Sequence, residues 1–290
     1  MSSGQPPADD VKTWLGSEEQ RQDNLDPGAV ERVAAALDAA VPAAGEALPY
    51  LWYWAFFQPA PPTSSIGKDG HAETGDFLPP MPGRQRMWAG SRITFKAPLK
   101  VGVPALRHSR VSKIEEKQGR SAGAMMFVTV EHRYSQDGQE AICEQQDLVY
   151  REPRPLQARA GEPLPELAWQ ETITPDPVQL FRYSAVTFNG HRIHYDWPYA
   201  TEQEGYAGLV VHGPLIATLV MNAFLAAHPD SMPTTFRFRG LRPLLCPGQF
   251  RVGGYHESNS HENDGVARVF AGDDGGQSQA GLIEFKPAQP

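Results

Sequence analysis

Cysteine is almost missing from this chain. Cys143 and Cys246 are the only two in 290 residues, too few for a disulfide framework and without the spacing of a metal-ligand set. Both read as reduced thiols. The first residues, MSSGQPPADDVKTWLG, lack the basic start and apolar stretch of a secretory signal, and no apolar run reaches the roughly 18 residues of a membrane helix. The expectation is a cytoplasmic protein with no membrane partner. An excess of positive charge is missing too. With 26 Lys+Arg against 34 Asp+Glu the formal net charge is -8, which argues against a broad hold on phosphate backbones and so against nucleic acid. A local basic pocket for a phosphorylated group remains compatible with that sum.

Core material is plentiful: 40% of residues are hydrophobic, with 13 Phe, 9 Tyr and 6 Trp, well away from disordered composition. After Asp26-Pro27, the residues Val30, Val33, Ala34 and Leu37 fall at helical spacing. Residues 48–57, Leu-Pro-Tyr-Leu-Trp-Tyr-Trp-Ala-Phe-Phe, are apolar almost all round and predict a buried helix. Residues 58–83 are rich in Pro, Gly and Ser and predict a long loop, of a length that bound ligand or partner often orders. Strand signals follow at 92–95, 106–111, 124–134 and 141–150, with a Gln136-Asp137-Gly138 turn between the last two, giving an antiparallel meander. Pro153, Pro155, Pro163 and Pro165 mark a linker.

The second half repeats that order. A buried helix from His212 to Phe224 precedes strands around 235–238, 250–255, 265–270 and 279–285. A short local match, Phe95-Lys96-Ala97-Pro98-Leu99 and Gly102 against Leu241-Arg242-Pro243-Leu244-Leu245 and Gly248, points the same way. The fold class expected is α+β, a double hotdog with two buried helices each wrapped by an antiparallel sheet. Its halves would be residues 1–160, degenerate because the aromatic segment lacks His, Asp and Glu, and residues 161–290, which carry the chemistry. A monomeric double hotdog or a homodimer is expected.

The chemistry lies in residues 181–200, Phe-Arg-Tyr-Ser-Ala-Val-Thr-Phe-Asn-Gly-His-Arg-Ile-His-Tyr-Asp-Trp-Pro-Tyr-Ala, and in His212-Gly213. This stretch resembles the signature of the MaoC-like hydratases and type 2 hydroxyacyl-thioester dehydratases, Asp-x-Asn-Pro-Ile-His-x-Asp-x-x-x-Ala, with a His-Gly pair opening the buried helix. Ile193, His194, Asp196 and Ala200 match; Asn189 stands at the family's Asp, His191 at its Asn and Arg192 at its Pro. The wording is most similar to the branch of mesaconyl-C4-CoA and itaconyl-CoA hydratases.

That resemblance implies addition of water to an α,β-unsaturated acyl-CoA, with no cofactor, the CoA being part of the substrate. Such chemistry needs a base for water, a proton for the α-carbon and stabilisation of an enolate-like oxygen. His194 suits the base because imidazole titrates near working pH. Gly213 suits the third role, with its N–H at a helix start and no side chain to block approach. Asn189 offers an amide that orients water or thioester. Arg192, His191, His212 and Tyr195 are expected to face substrate, Arg192 pairing with an acyl carboxylate or a CoA phosphate. Alternatives stay open. His212 also suits a structural hydrogen bond, and Asp196 suits a cap on the segment entered through Pro198. His191, His194 and Asp196 form a possible metal cluster, although no metal is expected because no second ligand group shows matching spacing. A dehydratase on carrier-protein substrates, docking through Arg237, Arg239 and Arg242, a hotdog thioesterase, and an inactive acyl-binding module are the rival functions.

Overall fold

The computed structural model describes residues 11–73, 75–119, 123–152, 160–257 and 264–288. Most of the proline linker therefore lies outside the described residues. Strand β1 (Glu18–Asp23) leads into helix α1 (Pro27–Ala36). Asp26 caps that helix through Oδ1, which accepts the Ala29 N–H at 3.0 Å, and Pro27 occupies the first turn, where an absent N–H costs nothing. Strand β2 (Gln85–Phe95), β3 (Ala105–Gly119), β4 (Gly123–Gln136) and β5 (Gln139–Arg151) form the expected meander. In β4 buried and partly exposed residues alternate along nearly its whole length, the period that makes a strand with one covered face.

Strand β6 (Trp169–Ile173) and helix α2 (Pro177–Val186) repeat the opening. Asp176 caps α2 by accepting from the Val178 and Gln179 N–H groups, and Pro177 again fills the first turn. Both helices end before a left-handed residue, Asp38 and Phe188, each at φ 50°. A two-residue strand β7 (Leu209–Val210) then precedes helix α3 (Gly213–Ala227). Strands β8 (Ser231–Gly240), β9 (Leu245–Cys246), β10 (Phe250–His256), β11 (Gly265–Asp273) and β12 (Gly276–Pro287) complete the chain.

Ten strands make one sheet in the order β1-β3-β4-β5-β2-β8-β12-β11-β10-β6. Read outward from its centre, each half lists its strands in the same sequence of roles. The seam is the antiparallel pair β2–β8, from Gly90 opposite Arg239 to Thr94 opposite Thr235. Helix α3 packs on β6, β8, β10 and β11. Its Leu215, Ile216, Val220, Met221 and Phe224 are buried, as a helix with little polar surface must be. No helix among the described residues is long and apolar enough to cross a membrane.

One expected element is different. Residues 48–57 are buried, but they form only a four-residue 3₁₀ turn, Trp52–Ala55, flanked by Leu51 at φ 69° and Phe57 at φ 60°. The double hotdog thus has one long central helix rather than two. Aromatic side chains are mediocre helix formers, and here two of them have polar tips with a common target. Tyr53 Oη and Trp54 Nε1 both donate to Glu144 Oε2 at 2.9 Å, and Ser91 Oγ donates to Oε1 at 2.7 Å. Glu144, on β5, is fully enclosed, and burial holds its carboxyl above the ordinary range.

The loop of residues 58–83 is a loop, as expected, and it is anchored. Phe77, Leu78 and Met81 pack against a second apolar cluster containing Val111, Met126, Val128 and Tyr150. That anchorage carries the preceding residues across to the second half.

Candidate active site

The turn after α2 is built by its own backbone. The Asn189 N–H donates to Ser184 O, and Asn189 Oδ1 accepts the His191 N–H at 3.0 Å. Residues Arg192–His194 form a 3₁₀ turn, and the Tyr195 hydroxyl ties back to Gly190 O at 2.8 Å. Asp196 Oδ1 accepts the Tyr199 N–H, so Asp196 caps the following π-helical segment Tyr199–Gln203.

His194 is buried, and its Nδ1 lies 2.7 Å from Val210 O. A carbonyl only accepts, so Nδ1 carries the hydrogen and Nε2 keeps its lone pair. Burial pushes the imidazole down to about 4, which keeps it in the basic form at neutral pH. Its ring stacks on His212, with centroids 3.7 Å apart and planes 17° apart. His212 is wholly enclosed, lies 2.8 Å from Ser184 Oγ through Nε2, and is held well below its usual range by burial. It is the floor under His194.

Immediately after His212, α3 begins without a side-chain cap. Gly213 is exposed, and a Cβ placed on it would meet nothing within 4 Å. The glycine is therefore not demanded by protein packing; the space beside this helix start is left open, and the first N–H groups of a helix have no acceptor within it.

The structure brings in two residues the sequence did not single out. Asp69 and His71, from the 58–83 loop, stand against the turn of the second half. The Arg192 N–H donates to Asp69 O at 2.8 Å, and Gly70 and Gly190 touch backbone to backbone. A Cβ on Gly70, whose φ is +91°, would fall 1.8 Å from Gly190 O. Asp69 accepts from His71 twice, from its N–H at 3.0 Å and from Nδ1 at 2.8 Å. Burial alone would raise the Asp69 carboxyl, but these bonds and the adjacent imidazoles hold it well below the usual carboxylate range. The His71 ring lies 4.1 Å from His191, and His191 meets His194 edge-on at 5.5 Å. Burial, followed by the charges of His71 and His194, pushes His191 down to about 2. Asp69, His71 and His191 place ligand atoms within 4.8 Å of one another. The metal-like grouping is thus not the His191, His194 and Asp196 set considered from sequence. In it, Asp69 and the Nδ1 side of His71 are already engaged with each other.

Arg192 is where the sequence reading needs correction. Its guanidinium donates twice to Asp196 Oδ2, at 2.9 and 2.7 Å, and once to Lys68 O, and it lies over the Tyr199 ring. It ties the loop to the turn and does not line the cleft. The i,i+4 spacing of Arg192 and Asp196 was a legible signal for that pair. Arg192→Ala is expected to cost about 1–2 kcal/mol in stability, since the pair is only partly buried. Its effect on kcat/KM should be the same for charged and uncharged acyl substrates. A selective loss with a carboxylated substrate would restore the substrate-facing role.

The cleft over these residues measures about 2390 Å³ and extends along both halves, more than a small ligand needs and enough for a thioester with its long carrier arm. His191, His194, Asn189, Tyr195 and Gly213 line it, together with His71. The Asn189 carbonyl oxygen accepts within the turn, which leaves the amide N–H₂ as the group not used by that bond.

Residues 51–246 match the model of the hydroxyacyl-thioester dehydratase type 2 family. The chain belongs to that family. It is a hydro-lyase. Over 249 residues it is 45% identical to the mesaconyl-C(4)-CoA hydratase of Chloroflexus aurantiacus, covering 84% of this chain and 88% of that one. It is 27% identical over 231 residues to the mitochondrial hydroxyacyl-thioester dehydratase type 2 of Schizosaccharomyces pombe, covering 69% and 75%. The fold is shared with a MaoC-like dehydratase from Phytophthora capsici at TM-score 0.68 and 12% identity, covering 98% of this chain and all of that one.

Proposed function

We propose that this hydro-lyase hydrates a short, α,β-unsaturated dicarboxylic acyl-CoA, mesaconyl-C4-CoA, to citramalyl-CoA; itaconyl-CoA, whose double bond lies β,γ to the thioester, would need its proton at the γ-carbon and is not served by the same step. The observation that carries the reading is the pairing of His194, with Nε2 unprotonated, with the open N-terminus of α3 at Gly213. In the forward direction His194 Nε2 takes a proton from water as the oxygen bonds to the β-carbon. The double-bond electrons move toward the thioester, whose oxygen is held by the Gly213 N–H. The imidazolium then returns a proton to the α-carbon, so one proton is taken and one given. Asn189 steadies water or thioester through its amide N–H₂. Similarity to the Chloroflexus hydratase supports the acyl group. Mesaconyl-C4-CoA has its double bond conjugated with the thioester, the arrangement this site activates.

Residues 161–290 supply base and oxyanion donor, and residues 1–160 supply the loop that closes the site. The carrier-protein alternative loses ground on the arginines it relied on. Arg242 is bonded to Asp273 and Gly276 O, and Arg237 faces Glu284 at 3.6 Å. Incubation with mesaconyl-C4-CoA and with crotonyl-CoA, read by a mass gain of one water, tests the reading. The dicarboxylic substrate is expected to show a kcat/KM roughly 10-fold or more above crotonyl-CoA. A preference for crotonyl-CoA would sink the acyl assignment, and release of free CoA in place of hydration would indicate a thioesterase.

A further inference from the structure

With Arg192 committed to Asp196, the cation for an acyl carboxylate must come from elsewhere. Where it must lie follows from the chemistry. In a β-carboxylated enoyl thioester the carboxylate hangs on the carbon that water attacks. Water sits about 3 Å from that carbon and about 3 Å from the base. The carboxylate therefore lies within roughly 6 Å of His194 Nε2, on the side away from the thioester and Gly213.

His191 lies at that range, 5.5 Å from His194 between ring centroids, and His71 lies 4.1 Å from His191. Arg86, on β2 of the first half, lines the same cleft. Its charge acts on both His71 and His191. Of the other arginines of the cleft, Arg21 and Arg107 hold Glu19, Arg92 holds Asp147 and Arg242 holds Asp273; Arg151 and Arg239 also line it, but are not among the charges that act on His71 and His191. Arg86 has no ion-pair partner among the described residues. Glu204, which also acts on His71, is engaged by Gln85 and by the Tyr199 hydroxyl. Asp69 spends both oxygens on His71.

We propose that Arg86 is the specificity residue of this site, pairing with the carboxylate of a dicarboxylic acyl-CoA beside the His71–His191 rings. This rests on the hydratase reading above and adds its recognition element. A guanidinium that lies beside the neutral Tyr150 hydroxyl and has no carboxylate partner among the described residues, in a partly desolvated cleft, favours a charged acyl group and disfavours an apolar one.

The test compares the full-length protein with Arg86→Gln and Arg86→Lys on mesaconyl-C4-CoA and on crotonyl-CoA. Arg86→Gln is expected to lower kcat/KM for the dicarboxylic substrate roughly 30-fold or more, the lower end for loss of one partner of a buried charge pair. Crotonyl-CoA should change by about threefold or less, within the reach of small packing effects. Arg86→Lys keeps charge but not the bidentate fork and should fall between. An equal loss on both substrates would place Arg86 on the CoA or the fold and overturn the proposal, as would no loss on either. If Arg86→Gln does not fold, a folded Arg86→Lys with an unchanged substrate ratio overturns it too. A wild-type protein that hydrates crotonyl-CoA but not mesaconyl-C4-CoA would overturn the proposed function itself.

Discussion

His194→Ala is expected to lower kcat by about 10²–10⁴-fold, the usual worth of a positioned general base. Three features of the ring converge on this. Its Nδ1–H is fixed on Val210 O, its face rests on His212, and Nε2 is the nitrogen left for chemistry. The variant should still fold, because the α3 packing beneath it is intact. The pH profile of kcat/KM supplies an independent check. Burial sets His194 at about 4, so the basic form predominates above that value and is lost as pH falls through it. The acid limb should therefore lie well below the 6.5 of a free imidazole. Near-normal turnover in a folded His194→Ala protein would remove this residue from the reaction, and a limb near 6.5 would assign the titration to another group.

The second large effect is on stability and lies in the half without the base. Glu144→Ala removes the acceptor shared by Tyr53, Trp54 and Ser91, leaving three enclosed donors without a partner. At about 1–3 kcal/mol for each stranded group, the expected loss is roughly 3 kcal/mol or more. Glu144→Gln should cost far less. Its carbonyl oxygen keeps the Tyr53 and Trp54 bonds, and its amide N–H₂ faces a Ser91 hydroxyl able to accept. The sign of the charge effect agrees. Because burial raises the Glu144 carboxyl, its contribution to stability is fully present below the unfolded-state value and declines as pH rises through the folded one. A neutral amide loses nothing by that route. Urea denaturation of the two variants at pH 7 separates the cases, and equal losses would show that the shared acceptor is not what matters.

Local signals carried the architecture into the sequence unevenly. The meander was legible because β4 alternates its burial, and α3 because it is apolar on every side. The aromatic segment at 48–57 misled for the same reason: hydrophobicity reports burial, while φ at Leu51 and Phe57 and the pull of Glu144 decide conformation. Those are long-range facts. The family motif placed His194 and Gly213 in the cleft, and it placed Asn189 at the turn, where its carbonyl serves the backbone. Arg192 stands inside the motif, which points it at substrate, while its i,i+4 spacing from Asp196 points to the pair that the structure shows. Asp69, His71 and Arg86 were unreadable. They come from a loop and a strand of the other half, and only β2–β8 pairing and the Phe77, Leu78 and Met81 anchor bring them over.

The touching backbones of Gly70 and Gly190 also govern which sequences the motif can accept. A Cβ on residue 190 would sit 2.5 Å from Gly70 O, and one on residue 70 still closer to Gly190 O. Nothing within the 189–196 turn itself forbids a side chain at 190; the prohibition is issued by a carbonyl in the opposite half. The vocabulary of the catalytic segment is thus restricted from outside it, and the two positions behave as a single conformational constraint written at two places in the chain.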